Sequence, residues 1–200
     1  TVKNSTCLSF FRILSGYILK YKYNMHLLDK FKYCPACGSE RFVESDEKSK
    51  QCLRCGFKYY LNAVSAVAAF VVDNDNRLLL CRRANDPAKG TWDLPGGFVD
   101  PGETAEEAIA REVYEEVGFE VESFRYLFSI PNEYYYSGFN VRTLDMFYLV
   151  QVADFSKPIA KDDVESAEFI PIDSIDISTI GLKSIKIAVE KFLADYISQD

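Results

Sequence analysis

Histidine is nearly absent from this 200-residue chain, and what is missing narrows the chemistry before any motif is considered. The one histidine, His26, has no sequence neighbours that suggest a triad or a metal site, so it is assigned no role and a Ser/His/Asp mechanism is not expected. A basic excess is also lacking. The formal net charge of −7 argues against a general nucleic-acid surface, because phosphate backbones are held by clustered Lys and Arg, and a nucleic-acid partner is not expected. No apolar run is long and uninterrupted enough to span a bilayer comfortably, so no membrane association is expected. The opening stretch TVKNSTCLSFFRILSGYILKYKYN is interrupted at Arg12 and lacks a clear small-residue cleavage site, which reads as a cytoplasmic chain rather than a secreted one. Cysteines are too few and too clustered for a disulfide framework: Cys34, Cys37, Cys52 and Cys55 form two CxxC pairs, while Cys7 and Cys81 stand alone.

What is present divides into three regions. Residues 1–30 form a leader, read either as a partner-packing helix or as sequence upstream of a start at Met25. Residues 31–60 carry the cysteine pairs, and residues 63–200 form a mixed body. In that body AVSAVAAFVV reads as a buried strand, DNDN as a turn and RLLLCRR as the hairpin partner. FEVESFRYLFSI and TLDMFYLVQVA have strand composition, Glu103 to Val117 reads as a helix, and GLKSIKIAVEKFLADYI has the periodicity of a closing amphipathic helix. Strands on both sides of a strongly marked helix indicate an α/β or α+β sandwich.

The two CxxC turns are separated by fourteen residues and each is followed by glycine, Gly38 or Gly56. Each turn places two thiolates on one side of a metal, and two turns complete a tetrahedral set. Structural zinc held by Cys34, Cys37, Cys52 and Cys55 is expected, with an iron–sulfur site or two redox pairs as the competing readings. Four sulfur ligands leave no open position for catalysis. Glu40, Glu44, Asp46 and Glu47 in the same segment disfavour nucleic-acid binding by it.

The stretch GGFVDPGETAEEAIAREVYEEVGF carries the chemistry. Thr104 and Glu107 have capping-box spacing and Gly118 is a C-terminal stop. At about 100° per residue, Ile109, Val113 and Val117 share a core-facing stripe, and Glu112, Glu115 and Glu116 cluster on another flank. Carboxylates so spaced repel by a few tenths of a kcal/mol per pair, roughly, unless a cation joins them. Hard oxygen ligands suit Mg²⁺ or Mn²⁺. Taken alone, such a run reads more simply as a solvated helix face. The wider order decides otherwise: Gly97, five residues, Glu103, seven residues, Arg111-Glu112-Val113, one residue, Glu115-Glu116, one residue, Gly118-Phe119. These 23 residues with nine specified positions resemble the Nudix box, and KGTWDLPGG ahead of them resembles the strand and turn that precede it in that family.

That resemblance implies an α/β/α sandwich with a small N-terminal zinc ribbon, binding divalent cations and attacking a diphosphate with water. It implies metal ligands at Glu112, Glu115 and Glu116, Glu103 orienting the water or adding a ligand, Arg111 steering the glutamates, and the Gly97 backbone close to the metal. Bound cations neutralise phosphates and acidify water while a carboxylate removes the proton. Asp163 and Glu165 in a late loop are weaker candidates for that base. A ribbon ahead of such a body resembles the NADH pyrophosphatase branch, although SIPNEYYYS keeps only Ser129, Pro131 and Ser137 of that branch's Ser-Gln-Pro-Trp-Pro-Phe-Pro-x-Ser motif. Arg82 or Arg83 is expected to contact phosphate, and Tyr135, within Tyr134 to Tyr136, to stack on a base or simply to pack. The resemblance thus implies as substrate a small nucleoside diphosphate linked to another group, and a dinucleotide, ADP-ribose or a sugar nucleotide all fit. The alternative is a nucleotide-sensing or protein-binding module with the ribbon as its surface, and a homodimer is compatible with either.

Overall fold

The computed structural model describes residues 26–136, 138–155 and 157–197; most of the expected leader, with Cys7 and Met25, lies outside the described residues, as does Ser137. The chain divides into two compact units, residues 1–62 and 63–200.

In the first unit, strands β1 (Phe42–Asp46), β2 (Ser49–Cys52) and β3 (Lys58–Tyr60) form an antiparallel sheet in that order. So short a sheet cannot bury much, and its core is small: Cys34, Phe42 and Cys52, with Phe31, Cys37 and Tyr59 packed against them. Lys50 is buried and its ammonium donates to the carbonyls of Phe31 (2.8 Å) and Leu28 (3.4 Å), tying the preceding turn to the sheet.

The second unit holds two sheets. Strands β4 (Val64–Val71), β7 (Gly96–Phe98), β8 (Val121–Tyr136) and β9 (Phe139–Val152) make a mixed sheet in the order β7-β4-β9-β8, with β4 and β9 parallel. Strands β5 (Arg77–Arg83), β6 (Trp92–Asp93) and β10 (Val164–Pro171) make an antiparallel sheet in the order β10-β5-β6. Helix α1 (Ala105–Val117) covers one side and α2 (Lys183–Ile197) the other.

Both central strands are apolar on both faces, as strands buried on two sides must be. Val67, Ala69 and Val71 of β4 pack with Leu79 and Cys81 of β5 against Ile109, Val113 and Val117 of α1. The alternate residues Ala68, Phe70, Leu78 and Leu80 pack against Ile185, Ala188, Val189 and Phe192 of α2, where the Phe70 and Phe192 rings stack at 4.2 Å. The result is the α/β/α sandwich expected.

One expectation is corrected. β4 and β5 do not form a hairpin; beyond the turn they share one bridge, Val72 with Leu78, and belong to different sheets. Both hydrogen-bonding edges of β4 are taken by β7 and β9, and both edges of β5 by β10 and β6. The turn is real, however. Asp73 accepts from the backbone N–H groups of Asp75 (3.0 Å) and Arg77 (2.9 Å) and from the Arg77 guanidinium (2.7 Å).

Burial opposes ionisation of Asp73, yet the Arg77 backbone and guanidinium outweigh it and hold the carboxyl below the usual range. A depressed pKa means stability present above the unfolded value of about 4 and lost as pH falls through the folded value. Asp73→Asn should therefore cost about 1–3 kcal/mol at pH 7, and the gap to wild type should close toward pH 3. Denaturant midpoints read by the emission of Trp92, the sole tryptophan, check this within the second unit.

Candidate active site

Helix α1 starts where its side chains dictate. Thr104 accepts from the Glu107 N–H and the Glu107 carboxylate accepts from the Thr104 N–H, a complete capping box. Gly118, at φ 77°, ends it with a left-handed cap that suits glycine. Between these ends Ile109, Val113 and Val117 enter the core, which fixes the rotation of the helix and so places the neighbouring acids.

Glu112, Glu115 and Glu116 line a cleft of about 620 Å³ together with Gly97, Arg111, Arg83, Asp93 and Asp163. Glu116 is only 9% exposed and accepts from the Gly96 N–H at 2.9 Å. Burial, reinforced by the charges of Glu112, Asp93 and Asp163 and only partly offset by the Gly96 N–H, pushes its carboxyl up to about 8. Glu112 is likewise pushed up by burial and by Glu115 and Glu103, against the pull of Arg111. Gly97 sits against the Glu112 carboxylate, and any side chain there would run into it.

Arg111 binds three acids at once. It donates bidentately to Glu103 (2.8 and 2.9 Å), to Glu112 (2.9 Å) and Glu115 (3.0 Å), and to the Phe98 carbonyl (3.1 Å). Glu103 also accepts from the Asp100 N–H at 3.0 Å and, chiefly through Arg111, is held at about 2. Glu103 thus reaches the cluster through Arg111, which crosses from the helix to the loop before it. The arginine is spent on this network, and burial still works against the charged forms of Glu112 and Glu116. One buried and one half-buried carboxylate with unfavourable ionised forms, opposite a backbone with no side chain, form a donor set that fits hard divalent cations.

The remaining candidates separate by strand alternation. Arg83 faces the cleft, paired with Asp93 at 2.6 Å and donating to the Pro87 carbonyl at 2.7 Å. Arg82 points the other way and lies over the Trp92 ring. Tyr135 is 67% exposed near the tip of the β8–β9 ribbon and is not among the cleft residues. Asp163 lines the cleft and accepts from Asn85 at 2.7 Å, whereas Glu165, two residues on, is exposed on β10 outside it. The sequence reading missed Asp93, Asn132, Thr143 and Asp145, which also line the cleft. A lone acid inside the apolar strand TLDMFYLV was the available signal for Asp145.

In the first unit the four Cys sulfurs lie within 4.8 Å of one another, with Cys34 to Cys55 and Cys37 to Cys52 both at 3.7 Å. That is far beyond a disulfide bond and close to the roughly 3.8 Å edge of a tetrahedron with Zn–S bonds of about 2.3 Å. The Cys55 and Arg54 N–H groups hold the Cys52 thiol at about 6, whereas Cys37, despite an N–H from Ser39, is pushed up to about 12 by Cys55 and burial. Thiols so crowded cannot all ionise without a cation, and the set fits zinc. His26 engages both ring nitrogens locally, with the Asp46 carbonyl at 2.7 Å and the Leu28 N–H at 3.1 Å.

Residues 63–195 match the model of the family described as the NUDIX domain. The chain belongs to the Nudix family. Among curated relatives, an ADP-ribose pyrophosphatase of Methanocaldococcus jannaschii is 32% identical over 143 residues, 70% of this chain and 77% of that protein. A NAD-capped RNA hydrolase, NudC, of Vibrio parahaemolyticus is 31% identical over 106 residues, 53% of this chain and 40% of that one. The chain thus spans well under half the length of that Nudix relative. A solved Nudix hydrolase of Nitrosomonas europaea shares the fold at a TM-score of 0.62 and 21% identity, covering 82% of this chain and 91% of its own.

The cysteine cluster gives a direct expectation. The purified protein should carry about one zinc per chain, and Cys55→Ser should lose it, since three thiolates no longer close a structural tetrahedron. Elemental analysis checks both, and stoichiometric iron instead of zinc would show the other metal.

Proposed function

We propose that this Nudix protein hydrolyses the pyrophosphate bond of a small nucleoside diphosphate linked to another group, with Mg²⁺ or Mn²⁺ bound by Glu112, Glu115, Glu116 and the Gly97 backbone. The observation that carries the reading is the pair of a buried Glu116 and a half-buried Glu112 in one cleft, with both carboxyls pushed up by burial. Isolated glutamates on a solvated face would have no reason to be so placed. When bound, the cations neutralise the diphosphate and lower the pKa of a water. Arg111 holds Glu112 and Glu115 in one orientation, and Glu103 fixes Arg111 in turn. Arg83 donates to a phosphate oxygen from its place beside Asp93, and Asp163 accepts the proton of the attacking water. The water oxygen bonds to one phosphorus, the bridging P–O bond breaks, and two phosphomonoesters leave.

Two observations favour an ADP-ribose-type substrate over a dinucleotide. The relative matched over 77% of its length is named for ADP-ribose, and SIPNEYYYS lacks the Trp and later prolines of the dinucleotide motif. Held by the four cysteines, a zinc ion would act structurally, since four sulfurs would fill every ligand position.

The test is product analysis with ADP-ribose, NAD, NADH, diadenosine polyphosphates, sugar nucleotides and nucleoside triphosphates in Mg²⁺ and in Mn²⁺. ADP-ribose should yield AMP and ribose 5-phosphate. Glu116→Gln should lower kcat by about 10²-fold or more with Trp92 emission unchanged, because the lost ligand acts on the reacting centre. A folded, zinc-loaded wild type that binds nucleotides and cleaves none would establish the sensor instead.

A further inference from the structure

One polar group in the cleft is not used by this reaction. Asp145 lies on the face of β9 that otherwise contributes Phe147 and Leu149 to the α2 side of the core. It is 7% exposed and lines the cleft. Its carboxylate accepts from the Thr143 hydroxyl and from the Asn132 side chain (3.1 Å), across the β8–β9 pair in which Asn132 sits opposite Thr143. Among the described residues no Lys or Arg pairs with it, and the nearby Arg83 is committed to Asp93. Two neutral donors satisfy about half of a carboxylate's acceptor capacity. Burying an aspartate in that state is costly, and nothing in the packing of the fold requires it.

Position says what the spare capacity is for. Asp145 sits beside Ala66, which sits beside Phe98, so two strand spacings, roughly 10 Å, separate it from the strand that carries Gly97. Ala66 also lines the cleft, and its small side chain leaves the wall open there. A carboxylate repels phosphate, so on the hydrolase reading the diphosphate belongs with cations at the Glu112 end, and what reaches Asp145 is a part of the substrate that is not anionic and carries N–H or O–H donors.

We propose that Asp145, positioned by Asn132 and Thr143, determines substrate specificity by accepting hydrogen bonds from paired donors on the nucleoside part of the substrate. The inference rests on the hydrolase reading for the placement of the diphosphate. Vicinal ribose hydroxyls and the N1–H and N2–H edge of guanine share this chemistry.

The test is calorimetric binding of AMP, 2′-deoxy-AMP, GMP and IMP to the full chain and to its Asp145→Asn and Asn132→Ala variants. Wild type should prefer one nucleotide, and Asp145→Asn should weaken that one by about tenfold or more while flattening the panel. Loss of preference for AMP over 2′-deoxy-AMP would place the contact on the sugar; loss for GMP over IMP would place it on the base. Asn132→Ala should shift affinities in the same direction by less, and it decides the matter if the first variant does not fold. With a cleaved substrate, KM should rise about tenfold and kcat stay within about twofold, as for a contact made equally in ground and transition states. A variant panel identical to wild type, or a wild type that binds none of the four, overturns the proposal. Because binding needs no turnover, a protein that discriminates nucleotides but cleaves nothing would defeat the hydrolase reading alone.

Discussion

Glu116 has to be buried as an acid, and much of the second unit is arranged around that burial. Its helix is rotated by Ile109, Val113 and Val117 in the core, which leaves its flank no choice but to point acids into the cleft. A carboxylate at 9% exposure with one N–H partner is an unstable arrangement in isolation. The surroundings answer it in two ways. The Gly96 N–H fixes one oxygen, and Arg111 absorbs the charge of Glu103, Glu112 and Glu115 nearby. What is left over is negative potential inside the cleft, and a divalent cation is the simplest species that relieves it.

How much of this was legible in the sequence follows the range of the interactions. The capping box at Thr104 and Glu107, the Gly118 stop and the CxxC turns are decided within a few residues, so their patterns carry them. The core stripe of α1 is periodic and equally plain. The β4–β5 hairpin was misread because strand pairing depends on which edges are already occupied, and β9, the parallel partner of β4, is some seventy residues further on. Arg82 and Arg83 could not be told apart without knowing which face of β5 meets the cleft. Asn132 and Thr143 were invisible for the same reason, and Asp145 was marked only as a lone acid in an apolar strand: the meeting of the three is a property of the β8–β9 register and of the cleft beside it.

The distribution of charge also explains how an acidic protein with a net charge of −7 can serve a phosphate substrate. Within the cleft the basic side chains are Arg111 and Arg83, and each is already bound to acids. Arg83 still has N–H groups to offer a phosphate oxygen, but neither arginine is an unpaired positive charge that could by itself balance a diphosphate. On the proposed reading the rest of the binding energy would come from cations brought to the glutamates, which would make substrate affinity and metal affinity one coupled quantity.

A chain that held zinc in one unit and a hard cation in the other would have to keep the two chemistries apart, and donor type would do it. Four sulfurs in the first unit suit a soft or borderline ion, and oxygens in the second suit a hard one. Cys81 threatens that separation, because it lines the cleft beside Glu116 and a thiolate there would attract zinc. Burial, with Glu116 and Asp93 alongside, pushes its thiol well above the ordinary cysteine range. Its side chain packs with the apolar core. Burial and the same acids that suit the cleft to a hard cation thus both disfavour a thiolate beside it.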